Sequence, residues 1–195
     1  MQKPNGYDEA RESGSFTPVD LGGHYAIIKQ VAERNTSSGK PMIVVLFDFC
    51  ENDKQPEYFA EAFENDNREE KKWPFNGSKY IMVQDYQDPN KTSRQFKTFC
   101  SCVEKSNNIN IKWGGSEWGQ QFKGKKIGVV FGEEEHEYDG ETFIRRIPKY
   151  FCAWDKVKDA AIPEAKYLNA KPTPAASATK APEGFSFISD EEIPF

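Results

Sequence analysis

The sequence predicts a mainly β protein: a small curved sheet or barrel of about five strands, one or two helices and a disordered C-terminal tail. Three observations support this fold class. Strand-like segments occur in two pairs, one segment between them has helical periodicity, and the composition changes to proline, alanine and small polar residues after residue 169. We therefore divide the chain into a flexible N-terminus (1–15), a folded domain (16–169), a disordered linker (170–186) and a tip (187–195).

The first pair of strands is predicted within residues 24–52. Its flanks read HYAIIKQVAERN and PMIVVLFDFCEN, and the intervening TSSGK supplies a Ser/Gly turn. The second flank is apolar on nearly every residue from Met42 to Phe49. Such a strand is covered on both faces or presents aromatic side chains, such as Phe47 and Phe49, to a ligand.

The middle of the domain contains one clear helix and two ambiguous segments. Residues 57–64, EYFAEAFE, fit a strand or a short helix, and residues 79–87, KYIMVQDYQ, fit a strand or the start of a helical stretch. The clear helix lies in SRQFKTFCSCVEKSNN, where Ser93 can cap the start and Asn107 the end. Its apolar residues recur at i, i+3, i+4 and i+7: Phe96, Phe99, Cys100 and Val103.

The second pair of strands is predicted in FKGKKIGVVFGEEE and ETFIRRIPKYFCAW. They are joined across HEYDG, in which Asp139-Gly140 is a strong hairpin turn. The segment AIPEAKYL closes the folded part. The order hairpin, mixed segment, helix, hairpin and tail fits an OB-like small barrel.

Composition limits the partners and the compartment. The 195 residues include 37% hydrophobic and 14% aromatic residues, enough for a core, and carry a formal net charge of -5. This charge argues against a generic polycation, although a local basic groove could still bind nucleic acid. No apolar run approaches the roughly 20 residues of a membrane span, and MQKPNGYDEARESG lacks the apolar stretch of a signal peptide. We expect a cytoplasmic protein with no membrane partner and with reduced cysteines.

Features that would indicate catalysis are sparse. His24 lies at the head of a predicted strand and His136 within EEEHEYD, and no nucleophile-elbow or phosphate-loop motif occurs. The Cys-x-Cys pair at 100–102 lacks a second Cys or His pair at zinc-finger spacing. Three acids at the end of a predicted strand could bind a metal or form the polar segment in which the strand ends: Asp48, Glu51 and Asp53. We expect no enzyme activity, no metal and no cofactor.

Aromatic residues alternate with cations in three segments: KKWPFNGSKY (71–80), KWGGSEWGQQFKGKK (112–126) and RRIPKYF (145–151). Single-stranded nucleic acid requires both, because cations follow the phosphates and aromatic faces stack on exposed bases. The candidate binding residues are Lys72, Trp73, Phe75, Lys79, Tyr80, Trp113, Trp118, Lys123, Lys125, Lys126, Arg145, Arg146, Lys149 and Tyr150.

Each aromatic in this set has a second interpretation, since aromatics also supply most of the core area in small β proteins. Trp113 and Trp118 flank Gly114-Gly115 in a polar loop, which favours a surface position for both. The acidic EEEHE is predicted to be a solvated tip, with shielding of the groove or mimicry of DNA as the alternatives.

Several short motifs follow one another in the order TSSGKPMIVVLFDFCEN, EYF, KKWPFNGSKY, RQFKTFCSCVEKSNN, FKGKKIGVVFGEEEHEYDG and IPEAKYL. Over roughly residues 15–168 this order resembles phage-encoded replication-module proteins from viruses of Gram-positive bacteria. That resemblance implies a single-stranded DNA-binding protein with an OB-type fold, acting in the cytoplasm of the infected bacterial host.

The chain ends in DEEIPF after the Pro/Ala-rich AKPTPAASATKAPEG. A core has little use for an aromatic residue at a chain terminus, whereas acids followed by a small apolar anchor are typical of a peptide ligand. This end is similar to the C-terminal tip of bacterial single-stranded DNA-binding proteins, which docks on replication and repair enzymes. The similarity implies steering charges and an anchor: Asp190, Glu191 and Glu192, then Ile193, Pro194 and Phe195.

These expectations combine into one function with two rivals. We expect the domain to coat single-stranded DNA without sequence readout, during phage replication or recombination, while the tip recruits host or phage enzymes. One rival is a viral interaction protein that occupies host tip-binding pockets without binding DNA, and the other is a nuclease or metal enzyme. The oligomeric state is left open, and the tetramer typical of the bacterial family is not implied.

Overall fold

The computed structural model describes residues 2–4, 7 and 17–168, which form one five-stranded antiparallel sheet and two α-helices. The strands are β1 (Gly22–Asn35), β2 (Pro41–Phe49), β3 (Ser78–Met82), β4 (Lys126–Tyr138) and β5 (Glu141–Cys152), and the helices are α1 (Tyr58–Glu64) and α2 (Arg94–Asn107). Short 3-10 turns occur at Phe75–Gly77, Trp118–Phe122 and Trp154–Lys156. For these residues the predicted fold class, a mainly β barrel with one or two helices, is confirmed. The predicted linker and tip lie outside the described residues, as does most of the N-terminus.

The strands follow the order β3-β2-β1-β4-β5, so that β1 pairs with both β2 and β4. The helix α2 connects β3 to β4 and packs against β3, β4 and β5. The sheet curls until its two edge strands approach each other, where Lys79 Nζ of β3 donates a hydrogen bond to Pro148 O of β5 at 2.9 Å. A five-stranded, partly open barrel with this connectivity is the OB-like architecture that the sequence predicted.

The register between β1 and β2 contains a β-bulge. Ile28 is paired with Phe47 and Gln30 with Leu46, so that Lys29 is the extra residue. On β2, the alternate positions from Ile43 to Phe49 point into the barrel and are almost completely buried. The intervening side chains therefore point to the outside of the barrel, apart from those that other elements cover.

Aromatic rings fill the barrel interior. Phe47 makes edge-on contacts with Phe59 and Phe131, with ring centroids 5.7 and 6.3 Å apart. Phe99 of α2 packs against Phe151 of β5 at 5.3 Å and against Phe122 in the turn before β4. Offset and edge-on aromatic pairs of this kind add to the free energy gained by burial alone. The helix is thereby fixed to the barrel.

The ambiguous segment at 57–64 forms the helix α1, because the end of β2 supplies its cap. Asp48 Oδ1 accepts a hydrogen bond from the backbone N–H of Phe59 at 2.9 Å, and Oδ2 accepts one from Ala60 at 3.2 Å. A carboxylate satisfies the free N–H groups of a first helical turn and interacts favourably with the helix dipole. The second ambiguous segment begins as the strand β3.

The helix α2 agrees with its predicted pattern. Ser93 Oγ accepts a hydrogen bond from Phe96 N at 3.1 Å, and all four predicted apolar positions are buried. The residue in the left-handed conformation after the helix is Asn108, with φ of 51°, rather than the predicted Asn107. Neither helix of the described residues combines the length and the apolar character that a bilayer span requires.

The β4–β5 hairpin extends beyond the barrel as an arm. β1 contacts only the Lys126–Phe131 part of β4, and the rest of β4 pairs with β5 up to the turn at Asp139-Gly140. Both turn residues have positive φ, 53° and 80°, as a tight hairpin turn requires. The chain returns along this arm, where Lys166 forms two backbone hydrogen bonds to β4.

Candidate nucleic-acid interface

The outward-pointing side of β1, β2 and β3, which we call the outer face, combines apolar and polar groups in regular rows. The register aligns Ala32, Val44 and Tyr80 in one row and Gln30, Leu46 and Ser78 in the next. Val44 and Leu46 are half-buried, whereas their neighbours Val45 and Phe47 are inaccessible. Apolar side chains in such rows can pack against planar groups.

Phe75 and Tyr80 form an exposed aromatic pair on this face. Their rings stack with centroids 6.4 Å apart and an interplanar angle of 28°, and their exposed fractions are 45% and 36%. The 3-10 turn before β3 positions Phe75, and Ser78 Oγ donates a hydrogen bond to Phe75 O at 2.6 Å. Two rings held in this way offer a preformed stacking platform.

Sequence reasoning missed further groups on this side of the barrel. Arg34 is exposed and lies beside Met42 in the β1–β2 register. At the β1–β2 turn, the ammonium group of Lys40 lies over the ring of Tyr86, 4.8 Å from its centroid. Tyr86 is 66% exposed. The only signal for Tyr86 was one tyrosine beside the polar residues QDPNK, and Arg34 could be placed only once the bulge in β1 was known.

Trp73 and Lys72 stand just before this platform. Trp73 is half-buried, packs against Phe63 with centroids 5.8 Å apart, and donates a hydrogen bond from Nε1 to Gly77 O at 2.9 Å. Its ring therefore supports the turn that carries Phe75. Lys72 is exposed.

Lys79 points into the barrel, because it pairs with the buried Val45. Burial of its ammonium, reinforced by the positive charge of Lys149, lowers the pKa of Lys79 to about 8, and Glu134 opposes this effect. Together with the hydrogen bond to Pro148 O, this position makes Lys79 part of the barrel closure.

The predicted residues of β5 are mostly engaged within the fold. Arg146 donates to Val19 O at 2.6 Å and lies 3.3 Å from Glu133 Oε1. Lys149 forms an ion pair with Glu134 at 2.6 Å, and this pairing holds the pKa of Glu134 below its usual value despite burial. The Tyr150 hydroxyl donates to the main chain of residue 161. The exposed member is Arg145, which lies over the ring of Phe143, 4.6 Å from its centroid.

The expectation that both Trp113 and Trp118 lie at the surface is wrong for Trp118, which is only 8% exposed. Its ring stacks on Phe96 at 5.9 Å and meets Phe122 at 4.6 Å, because the 3-10 turn carries it into the core. Trp113 stacks on the outer side of Trp118 at 5.7 Å and remains 65% exposed. Trp113 is therefore the ring of this pair that a base could reach.

The three predicted lysines before and within β4 differ in their surroundings. Lys123 is exposed and Lys125 is half-buried. Lys126 is exposed and places its ammonium 5.3 Å from the ring centroid of Trp154. All three follow the turn that packs against β1.

The three acids considered as metal ligands have separate structural roles. Asp48 caps α1, and burial raises its pKa. Asp53 accepts hydrogen bonds from His24 Nδ1 and from the backbone of Tyr25, and these hold its pKa below the usual value although burial opposes the effect. Glu51 is exposed. Within the described part of the chain, no three His, Cys, Asp or Glu side chains are grouped as a metal site would require.

All four cysteines are free thiols. Burial raises the pKa of Cys100 and Cys152 to about 12 and that of Cys102 to about 11. Thiols with such high pKa values are poor nucleophiles and poor metal ligands.

The sequence matches no protein-family model, and no curated protein matches it. The predicted tip residues Asp190, Glu191, Glu192, Ile193, Pro194 and Phe195 lie outside the described residues. The geometry of the outer face therefore carries the functional argument.

Proposed function

We propose that the chain binds single-stranded DNA without sequence specificity across the outer face of β1, β2 and β3. The observation that carries this proposal is the exposed, stacked pair of Phe75 and Tyr80 on the strands 2–3 face of an OB-like barrel. That face is the surface on which barrels of this architecture bind oligonucleotides. No readout of base identity is required, since every base has a flat face that can stack.

The cations around this surface suit the phosphate backbone. Lys72 and Arg34 are exposed on segments that flank the aromatic pair, and Trp113 offers another exposed ring beside Phe96, at the start of α2. Attraction between cations and phosphates releases counterions, so binding weakens steeply as the salt concentration rises. In this proposal the coat protects single strands during phage replication or recombination.

The tip adds a second activity to the proposal. Residues 190–195 would be held by host or phage replication and recombination enzymes, with Phe195 as the anchor. The support for this part is the sequence DEEIPF alone. It would make the protein a platform that brings enzymes to the strand it coats.

Binding of labelled oligo-dT, followed by fluorescence anisotropy, tests the DNA-binding part. Phe75→Ala and Tyr80→Ala should each weaken binding by roughly 1–3 kcal/mol, because each removes one stacking face. Tyr167→Ala is the matched control, because Tyr167 is 48% exposed but follows Lys166, which is bound to the acidic strand β4. Equal losses in all three variants would contradict the assignment of the site.

The same assay separates the rivals. Binding to duplex should be far weaker than binding to oligo-dT, since paired bases offer no free faces to stack on. A protein that binds neither would favour the interaction protein, and cleavage of the oligonucleotide on addition of magnesium would favour the nuclease.

A further inference from the structure

A small polar pocket lies beside the bulge in β1, at the margin of the outer face. It has a volume of about 220 Å³ and is lined by Lys29, Gln30, Val31, Gly119, Gln120 and Lys123. We call it the bulge pocket. Its lining contains two cations, two amide side chains and no acid, which is a composition suited to an anion.

The bulge directs one wall of this pocket. Because Lys29 is the extra residue between Ile28 and Gln30, its side chain leaves the regular alternation of the strand. The side chain of Lys29 is 47% exposed, and its Nζ lies 3.7 Å from Asp48 Oδ2. That separation is longer than a hydrogen bond, and an ammonium group has three donors. Lys29 can therefore serve a second anion.

Close backbone packing fixes the opposite wall. A Cβ atom on Gly119 would lie 2.2 Å from Val31 O, so only glycine allows the turn to approach β1 this closely. After the turn, Gly124 N donates to Ile28 O at 2.8 Å, and Ile28 N donates to Lys125 O at 2.9 Å. These bonds hold the loop that carries Lys123 against the bulge.

The donors of the pocket are free to bind a ligand. Within residues 17–168, the side chains of Gln30, Gln120 and Lys123 make no hydrogen bond, ion pair or ring contact. The backbone contacts between the loop and β1 fix both walls of the pocket, so the pocket is already formed before a ligand binds.

The pocket also lies on the path of the proposed strand. Gln30 is two strands from Tyr80 and two residues away along the strand direction. Strand spacing and rise place their Cα atoms about 12 Å apart. The apolar side chains of Val44 and Leu46 lie between them on the outer face. A strand whose base stacks on Tyr80 can therefore bring a phosphate over the bulge within a few nucleotides.

We propose that the bulge pocket binds a phosphate group, which in the proposed function is one phosphodiester of the single strand that stacks on Tyr80. Lys29 and Lys123 supply the charge, and Gln30 and Gln120 donate hydrogen bonds to the phosphate oxygens. The inference rests on the proposed function for the identity of the ligand, but not for its chemistry.

The test uses the full chain and the salt dependence of oligo-dT binding. Each phosphate contact on a single strand contributes about 0.7 to the slope of log K against log salt. If both lysines bind one phosphate, the double variant Lys29→Met with Lys123→Met should make that slope shallower by about 0.7, and not by twice that amount. Lys54→Met removes an exposed lysine from the turn after β2 and should leave the slope unchanged. An unchanged slope in the double variant would overturn the proposal.

The variant Gln120→Ala changes neither the ion pair between Lys29 and Asp48 nor the net charge of the protein. It should weaken binding roughly tenfold or more, because it removes one hydrogen bond to a charged oxygen. Wild-type affinity in this variant would argue against a phosphate at the pocket.

Pyrophosphate separates this inference from the proposed function. Titrated into the full chain, it should shift the side-chain amide resonances of Gln30 and Gln120 in nuclear magnetic resonance spectra, and the double lysine variant should abolish the shift. Shifts in a protein that binds no oligo-dT would support the phosphate pocket and refute the proposed function. The absence of shifts in the wild type would refute the pocket, whatever the outcome with DNA.

Discussion

Replacing Lys79 by methionine tests whether this lysine belongs to the barrel closure or to the nucleic-acid interface. In the structure its ammonium donates to Pro148 O and has Lys149 as a cationic neighbour. Methionine keeps most of the length of the side chain while removing its charge. We expect the variant to be more stable at neutral pH and to bind single-stranded DNA as the wild type does.

The magnitude follows from the pKa. Burial lowers the pKa of Lys79 from 10.5 to about 8, so keeping it charged costs the folded state about 3 kcal/mol, at 1.36 kcal/mol per pH unit. Loss of the hydrogen bond to Pro148 O, whose donor is charged, costs the variant about 2 kcal/mol. The methionine variant should therefore be about 1 kcal/mol more stable near pH 7.

The sign of the pH dependence provides the sharper check. Below pH 8, Lys79 is protonated in both the folded and the unfolded protein, and the full cost of burying its charge is present. Between about pH 8 and 10.5, the unfolded protein binds more protons than the folded protein does. Stability contributed by Lys79 therefore rises with pH through this window. Urea denaturation of the wild type and the methionine variant across this pH range should show that the difference between their free energies of unfolding becomes smaller as pH rises. A difference that does not change with pH, or a marked loss of DNA binding, would refute the interior placement.

The remaining predictions concern the tryptophans, the start of β1 and the tail. Trp118→Ala should lower the free energy of unfolding by about 3–5 kcal/mol in thermal denaturation, whereas Trp113→Ala should keep its fold and weaken oligo-dT binding by roughly 1–3 kcal/mol; the opposite pattern would exchange their roles. Gly23→Ala should destabilise the fold by about 3 kcal/mol, since its Cβ would lie 2.1 Å from a main-chain oxygen, and a stable variant would show that this contact relaxes easily. Deleting residues 187–195 should leave oligo-dT binding intact or slightly stronger and should abolish pull-down of enzymes that recognise the bacterial tip. Phe195→Ala should reduce the pull-down nearly as much. Undiminished pull-down would refute the recruiting role.

The fold was predictable where local signals agree with one another. In α2, the apolar spacing, the Ser93 cap and the absence of Gly or Pro all indicate one helix, and the structure has it at Arg94–Asn107. The turn at Asp139-Gly140 is likewise specified by two residues that tolerate positive φ. The segment 57–64 stayed ambiguous because its helix depends on a cap from Asp48, which is distant in sequence.

The candidate site was predictable only in part, because the register between strands decides which side chains point to the outside of the barrel. Lys79 and Tyr80 are neighbours with opposite directions, and the pairing with β2 decides which of them is accessible. The bulge at Lys29 shifts the alternation of β1, so sequence periodicity could not place Gln30 or Arg34. Trp118 looked accessible between polar residues, but contacts with Phe96 determine its burial.

The gap between β3 and β5 also bears on how the protein behaves at high concentration. An open sheet edge presents unpaired N–H and C=O groups that can recruit a strand from another molecule. Pro148 directs its carbonyl toward β3 and has no N–H to offer, and Lys79 Nζ already occupies the carbonyl oxygen that a foreign strand would need. These two residues leave the barrel incompletely hydrogen-bonded and, for the same reason, make its edge a poor template for aggregation. The lysine that lowers the stability of the fold thus helps to keep separate molecules apart.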